Sequence, residues 1–203
     1  MKVVLCILGG FVGLVILIIV FFGMWAMGAY NNLVQLGNKA DKAWADVQNV
    51  YQRRSDLVPN LVATVQGAAQ FEKSTFTAVA EARSSVGKVS VDMKNMPATA
   101  EQMKKFQEAQ TGLSSALSRL MVVTEKYPDL KATDGFRDLQ AQLEGTENRI
   151  AVERRNFNGS ILDYNNAVKS FPVMLFASMA GYQPRPQFEA EASAQKAPTV
   201  KFN

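Results

Sequence analysis

The chain opens with an unbroken apolar stretch. Residues 3–29 carry no charged, amide or hydroxyl side chain, and after them apolar residues recur at regular intervals among polar ones. A bilayer core of about 30 Å is crossed by about 20 helical residues, so this stretch predicts a transmembrane helix. A cleaved signal peptide is the alternative interpretation, but the apolar core of a signal peptide holds only about 7 to 15 residues.

After this stretch, apolar residues recur at steps of three and four, which is the spacing of an amphipathic helix. Four segments show the pattern: from residue 30 to the middle fifties, from about 60 to 87, from about 98 to 127, and from about 134 to 171. Sustained alternation with a period of two, the mark of a strand, is missing from the sequence. The predicted fold is all-α, with an N-terminal transmembrane helix followed by an antiparallel four-helix up-and-down bundle.

The sequence RRSDLVPN at residues 53–60 places a proline inside an otherwise helical pattern. Proline in a helix interior costs about 3 kcal/mol. A single helix over residues 30–88 would also measure about 90 Å, against about 45 Å for the third helix. We therefore predict that the chain reverses near residues 56–60, with Ser55 or Asp56 capping the second helix and Pro59 in its first turn. A three-helix bundle on a kinked stalk is the alternative.

Three regions follow from this pattern. Residues 1–29 form the anchor, residues 30–172 the bundle, and residues 173–203 an apolar segment with a disordered tail. Four antiparallel helices return the chain to the membrane end, so the apolar residues 171–182 should lie beside the bilayer and pack on the bundle, a neighbouring chain or the membrane surface. The last twenty residues are rich in Ala, Gln, Pro and Glu, a composition typical of disorder.

Several long motifs occur in the order seen in a known family: YNNLVQL, AWADVQNVYQRRSDLVPNLV, EKYPDLKA, ENRIAVERRNFNGSILDYNNAVKSFP and GYQPRPQFEA. From about residue 30 to residue 190 the chain resembles the LemA family of bacterial membrane proteins. The resemblance implies an N-terminal anchor, an antiparallel four-helix bundle, and no established enzymatic activity, cofactor or substrate. The family also includes proteins tied to bacterial membrane organelles.

The composition argues against most catalytic chemistry. The chain has no histidine, and its one cysteine, Cys6, lies inside the apolar stretch. The commonest general base, the usual ligands of bundle-type metal sites and an accessible thiolate are therefore missing. The net charge of +4 is spread without a basic block, so nucleic acid is not an expected partner. We expect no catalytic residue, metal or cofactor, and hence no enzyme.

Charged residues on the helices remain as candidates. Glu144 and Glu147 lie three residues apart on one helix face, where they either do acid–base work or, as we favour, pair with Arg53 or Arg54 of another helix. Glu153 or Arg154 falls where the apolar stripe of the last helix places a core residue, and a buried charge there must be paired. Arg53, Arg54 and Asp56 form either a partner-binding patch or a set of caps and interhelical pairs. The candidate structural or interaction residues are Arg53, Arg54, Asp56, Pro59, Asn60, Glu147, Asn148 and Arg154.

Two apolar features indicate self-association. Gly9 and Gly13 form a G-x-x-x-G motif, which permits close approach of helices in a membrane. The second feature is the apolar segment near the C-terminus, and the candidate oligomer contacts are therefore Gly9, Gly13, Phe171, Leu175 and Phe176.

The sequence thus predicts a non-enzymatic scaffold in the bacterial inner membrane that self-associates and positions partner proteins at the lipid bilayer. The alternative is a binding module that recruits or regulates a membrane protease or envelope enzyme. The positive-inside comparison sets Lys2 and the amino terminus against Lys39 and Lys42, and the balance is nearly even. We place Lys2 on the inside and expect the bundle on the extracytoplasmic side.

Overall fold

The computed structural model describes residues 2–68, 73–92 and 95–189. Six helices occupy these ranges, and no strand occurs among them: α1 Lys2–Ala68, α2 Lys73–Asp92, α3 Ala100–Thr124, α4 Pro128–Lys131, α5 Asp134–Lys169 and α6 Val173–Met179. The predicted all-α class is confirmed.

The predicted reversal at residues 56–60 is wrong. Helix α1 continues through Pro59 to Ala68, and α2 begins only at Lys73. Residues 69–72, between these helices, lie outside the described residues. Neither Ser55 nor Asp56 caps a helix. Proline is tolerated here because the carbonyl that its missing N–H leaves free, that of Ser55, accepts a hydrogen bond from Arg83 of α2.

The chain divides into two compact units. One contains Met1–Asp41 and Leu162–Pro184, and the other contains Lys42–Ile161 and Arg185–Asn203. Helices α1 and α5 therefore contribute residues to both units. The predicted region boundaries, at residues 29 and 172, stay predictions.

The second unit contains an apolar core that receives side chains from α1, α2, α3, α4 and α5. The members of this core are Val58, Leu61, Val65, Phe76, Val79, Val86, Leu113, Ala116, Leu117, Leu120, Leu130, Phe136 and Leu143. Their recurrence at helical spacing is the pattern seen in the sequence. The predicted four-helix bundle, rather than the three-helix alternative, describes this unit.

Side-chain contacts fix the direction of each helix in this bundle. Moving along α1, the contacted residue numbers rise on α3 and fall on α5 and α2. Helix α3 is therefore parallel to α1, whereas α2 and α5 are antiparallel, which is the up-and-down order that was predicted. The contacts are Trp44 with Phe106 and Phe157, Arg54 with Gln110 and Glu147, Ser55 with Arg83, and Val62 beside Phe76.

Helix ends follow local signals. Thr99 caps α3 in a capping box with Gln102. Helix α3 ends at Thr124, three residues before the predicted end at Tyr127, and Pro128 opens the short α4 rather than only stopping α3. Helix α5 ends at Lys169, shortly before Pro172.

The predicted disorder of the last twenty residues does not hold for residues 185–189. This segment has no regular secondary structure, but Phe188 is only 5% exposed. Its ring lies 5.3 Å from that of Phe157 and 6.2 Å from those of Trp44 and Phe106, measured between centroids. Burial of one large aromatic side chain offsets the cost of ordering a short segment. Residues 190–203 lie outside the described residues.

The first unit pairs the early part of α1 with the end of α5 and with α6. Its small core consists of Leu33, Tyr164, Val168 and Ala177. Lys39 of α1 and Asp163 of α5 form an exposed ion pair at 3.1 Å. Within the described residues, α1 is the helix that is long and apolar enough to cross a membrane.

Candidate functional site

The most buried charge among the described residues belongs to Arg54, in the middle of α1. Its residue is 1% exposed. It stands in the apolar stripe of α1, between Tyr51 and Val58, at steps of three and four residues. The helix therefore directs the guanidinium into the bundle, whereas the adjacent Arg53 is exposed.

The Arg54 guanidinium joins three helices. Its Nη1 atom donates to Ser114 Oγ of α3 at 2.7 Å and to Glu147 Oε1 of α5 at 2.8 Å. Its Nη2 atom donates to the backbone carbonyl of Gln110 at 3.2 Å and also to the Gln110 side-chain oxygen. The Tyr51 ring lies 5.1 Å from the Arg54 guanidinium carbon, close enough for a cation–π interaction. Arg54 and Glu147 thus form the interhelical pair expected from the sequence.

The other residues predicted around RRSDLVPN do not join this network. Asp56 is exposed and accepts a hydrogen bond from Gln52 at 2.8 Å. Pro59 and Asn60 are exposed on α1, and the Asn60 carbonyl accepts from Thr64 Oγ1 at 2.9 Å. The structure therefore splits the proposed patch of Arg53, Arg54 and Asp56 into one core residue and two surface residues.

A groove with a volume of about 780 Å³ lies between α3 and α5, beside the Arg54–Glu147 pair. We call it the α3–α5 groove. Glu147 and Asn148 are two of its polar residues, and Val122 on its wall is 65% exposed. The full lining is Ser114, Leu117, Ser118, Met121, Val122, Glu125, Gln140, Leu143, Glu144, Glu147 and Asn148.

Arg154 is half-buried rather than in the core, so the prediction of a buried charge is wrong. Its guanidinium carbon lies 4.9 Å from the Phe188 ring centroid, and its Nη2 atom donates to the Glu189 carbonyl at 3.1 Å. The buried residue at this place is Phe188 of the C-terminal segment, and Arg154 stacks over its ring. Sequence reasoning missed this role because the partner residues lie far along the chain.

The same segment is held by amide side chains. Asn158 exchanges two hydrogen bonds with the Phe188 backbone, at 3.0 and 2.9 Å. Gln107 of α3 does the same with Glu189, at 2.9 and 3.2 Å. We call residues 185–189 the tail clasp. Each of these two amide side chains bonds both the N–H and the carbonyl of one residue in the extended segment. Such contacts follow no periodic sequence pattern, so the sequence does not predict them.

The two acids considered for acid–base work, Glu147 and Glu144, each have a polar partner. Glu147 is paired with Arg54, and Glu144 accepts a hydrogen bond from Gln140 at 3.0 Å. No group of three or more metal-ligating side chains occurs among the described residues. On the surface, a hydrogen bond between Lys105 and Glu101 lowers the pKa of Glu101 and raises the pKa of Lys105.

The predicted oligomer contacts lie on exposed surfaces. Gly9 and Gly13 are exposed on α1, and a Cβ atom built on either meets no other atom within 4 Å. Phe171, Leu175 and Phe176 are 78%, 54% and 39% exposed. The structure therefore leaves all five available for lipid or for another chain.

Comparison with known proteins identifies the family of the chain. The LemA family model matches residues 43–202. The chain belongs to the LemA family. It is 28% identical to magnetosome protein MamQ of Magnetospirillum gryphiswaldense, over 84% of this chain and 68% of that protein. It is 24% identical to magnetosome protein MamQ 2 of Paramagnetospirillum magneticum, over 91% and 73% of the two chains.

A third relative of this LemA-family chain is protein LemA of Metamycoplasma hominis, with 25% identity over 77% of this chain and 67% of that protein. The most apolar window of α1 has none of its surface buried. The family and this exposed apolar part of α1 together indicate a membrane-associated helical protein with one candidate N-terminal span.

Proposed function

We propose that the protein is a non-enzymatic scaffold of the bacterial inner membrane, which self-associates and positions partner proteins through its helical bundle. The observation that carries the proposal is a difference in the exposure of apolar side chains along α1. Residues 11–22 of this helix expose their large apolar side chains, whereas Leu33, Val47, Leu61 and other residues further along α1 are buried in cores. One helix thus supplies both an apolar surface for lipid and the first helix of the bundle.

The relatives support a structural role. Two of the proteins described above are named as magnetosome proteins, and neither name states a reaction. Both terminal nitrogens of the buried Arg54 guanidinium donate hydrogen bonds, to Gln110, Ser114 and Glu147, while its buried Nε–H has no partner among the described residues. Hydrogen bonds from one buried group to two other helices support a structural role for Arg54.

Self-association is assigned to the span, through Gly9 and Gly13. Small residues at a spacing of four allow two helices to approach closely, and both glycines face open space. In the double variant Gly9→Leu and Gly13→Leu we expect smaller assemblies of the detergent-extracted full chain, measured by light scattering. Gly28→Leu, which also adds bulk in open space, is the control. A wild-type protein that is monomeric in detergent and in crosslinked membranes would refute self-association.

The α3–α5 groove favours a second candidate function, a binding module that recruits or regulates a membrane protease or envelope enzyme. An exposed Val122 inside a groove with carboxylate side chains suits a helix that carries apolar and basic residues. A photocrosslinking side chain at Val122 that captures another membrane protein, while the bundle itself stays monomeric, would favour this module over the scaffold. Large self-assemblies without such a partner would favour the scaffold.

The proposal that the protein is not an enzyme can be tested separately. The acids at the groove are Glu125, Glu144 and Glu147, and Glu144 and Glu147 are the pair considered for acid–base work. A turnover of any substrate that is lost in Glu144→Gln, with the fold intact, would contradict a scaffold function.

The side of the membrane on which the bundle lies can be tested in intact cells. Lys104 is exposed on α3 and makes only a long contact with Glu108, at 3.8 Å. A cysteine placed at Lys104 in a Cys6→Ala background should react with an impermeant thiol reagent if the bundle is extracytoplasmic. Protection in intact cells and reaction after lysis would place it in the cytoplasm.

A further inference from the structure

We infer that residues 171–182, comprising α6 and its flanks, are a second membrane contact. This segment lies in the interfacial layer of the leaflet in which the span ends, and lipid acyl chains fill the groove between it and α1. The inference rests on the anchoring part of the proposed function and does not depend on self-association. It assigns lipid, rather than a second copy of the chain, to Phe171, Leu175 and Phe176.

The first observation is exposure of apolar surface. Residues 171–182 contain no charged side chain, yet five of their large apolar residues are exposed: Phe171 78%, Met174 46%, Leu175 54%, Phe176 39% and Met179 88%. Large apolar patches on a protein surface mark contacts with a membrane or with another protein. Helix α6 has seven residues and is far too short to span a bilayer, so a membrane contact here must lie along the surface.

The second observation is the level at which α6 meets α1. The ring of Phe176 lies 5.7 Å from that of Trp25, and the ring of Tyr182 lies 6.2 Å from that of Tyr30. Trp25 and Tyr30 stand at the end of the apolar stretch of α1. Trp and Tyr favour the level of the lipid headgroups, because one part of the ring is apolar and another part forms hydrogen bonds. Helix α6 is therefore packed against the part of α1 that leaves the bilayer.

The third observation is a groove of about 510 Å³ between α1 and α6, which we call the α1–α6 groove. Most of its walls are apolar, and residues of both helices form them: Ala26, Met27, Tyr30, Val173, Phe176 and Met179. It is continuous with the exposed apolar surface of α1, where Met24 and Met27 are 61% and 64% exposed. Lipid that surrounds the span can therefore enter it without passing a polar barrier.

The distribution of the exposed residues favours lipid over a protein partner. At 100° per residue, Met174, Leu175, Phe176 and Met179 cover about 200° of the helix surface. A second copy with a fixed surface contacts one side of a helix, whereas fluid acyl chains cover a wide arc. A protein interface also has a polar rim, and residues 171–182 offer no charged side chain to build one.

The test measures the depth of single spin labels in the full-length chain. Cysteines are placed at Phe171, Leu175 or Met179 in a Cys6→Ala background, and each protein is reconstituted into phosphatidylcholine–phosphatidylglycerol vesicles at high dilution. These side chains are exposed, so their replacement removes no core contact. The collision rates of each label with oxygen, which enters lipid, and with an aqueous nickel chelate are then compared. Labels at Ile18, inside the span, and at Lys104, on the bundle, are the controls.

We expect the three labels to resemble Ile18 rather than Lys104, with at least a several-fold higher ratio of oxygen to nickel collisions than Lys104 shows. Labels at all three positions that collide with nickel as Lys104 does would overturn the lipid contact, and the anchor would still stand if Ile18 is protected from nickel. A nickel-accessible Ile18 would instead refute the anchor itself. Labels protected from both reagents, with spin–spin broadening between chains, would overturn the lipid contact in favour of a second copy.

Discussion

The side chain of Arg83 on α2 replaces the backbone hydrogen-bond donor that α1 lacks at Pro59. The Nε atom of Arg83 donates to the backbone carbonyl of Ser55 at 3.1 Å. In a regular helix this carbonyl would accept from the N–H four residues later, and that position is the proline. The helix therefore passes through Pro59 because a neighbouring helix supplies the missing donor.

This relationship predicts a coupling between the two residues. Arg83→Ala should lower the free energy of unfolding by about 1 kcal/mol, because it leaves the carbonyl of a nearly buried residue without its donor. In a Pro59→Ala background the backbone N–H returns, so the same change should cost clearly less. Chemical denaturation of the detergent-solubilised chain, followed by circular dichroism, measures the four proteins of this cycle. Equal costs in both backgrounds would contradict the explanation.

A second prediction concerns the adjacent arginines. Arg54→Ala should destabilise the protein by about 2 to 4 kcal/mol, because it leaves a cavity and unpaired groups on Gln110 and Ser114. Arg53→Ala, on the exposed side of the same helix turn, should change stability by less than about 0.5 kcal/mol. Thermal unfolding of the two variants under the same conditions checks the difference, and similar melting temperatures would be inconsistent with the network.

The tail clasp gives a third prediction. Phe188→Ala should cost about 3 kcal/mol, because it removes a buried ring from the cluster of Trp44, Phe106 and Phe157. Phe171→Ala is the matched control, since its ring is 78% exposed and should matter little to unfolding in detergent. If the two phenylalanine variants unfold at the same denaturant concentration, residues 185–189 do not contribute to the core.

Arg154 gives a fourth prediction through the same segment. Arg154→Ala should lower the melting temperature more than Lys104→Ala does, because it removes the stacking on Phe188 and the hydrogen bond to Glu189. Lys104 has only a long, exposed contact with Glu108. In a Phe188→Ala background the effect of Arg154→Ala should shrink. An undiminished effect there would show that Arg154 acts through other contacts.

A fifth prediction concerns pH. The hydrogen bond and charge of Lys105 lower the pKa of Glu101, so the contribution of this exposed pair is present above the ordinary pKa of a glutamate and is lost as pH falls through the lowered value. Lys105→Ala should therefore raise the pKa of Glu101 toward its ordinary range. Carboxyl chemical shifts measured by NMR across an acid titration report this pKa directly, and no change on substitution would rule out Lys105 as the cause.

Much of the fold was readable from the chain. Apolar residues at helical spacing predicted the four long helical segments and the up-and-down order of the bundle, but not the continuation of α1 through Pro59 or the short α4. The continuous stretch at residues 3–29 predicted the apolar start of α1. Arg54 stands in line with Tyr51, Val58 and Leu61, so its burial was implied by spacing, whereas Arg53 was not in that line.

The sequence by itself determined which face of each helix is apolar, because helical periodicity depends only on neighbours along the chain. Only the tertiary structure decided where α1 could continue, which groups accept hydrogen bonds from Arg54 and how residues 185–189 attach. Those outcomes depend on donors and rings supplied by distant residues, such as Arg83 for Ser55 and Phe188 for Trp44. A local pattern gives the cost of a proline or a buried arginine, but the compensating partner exists only once the helices are packed.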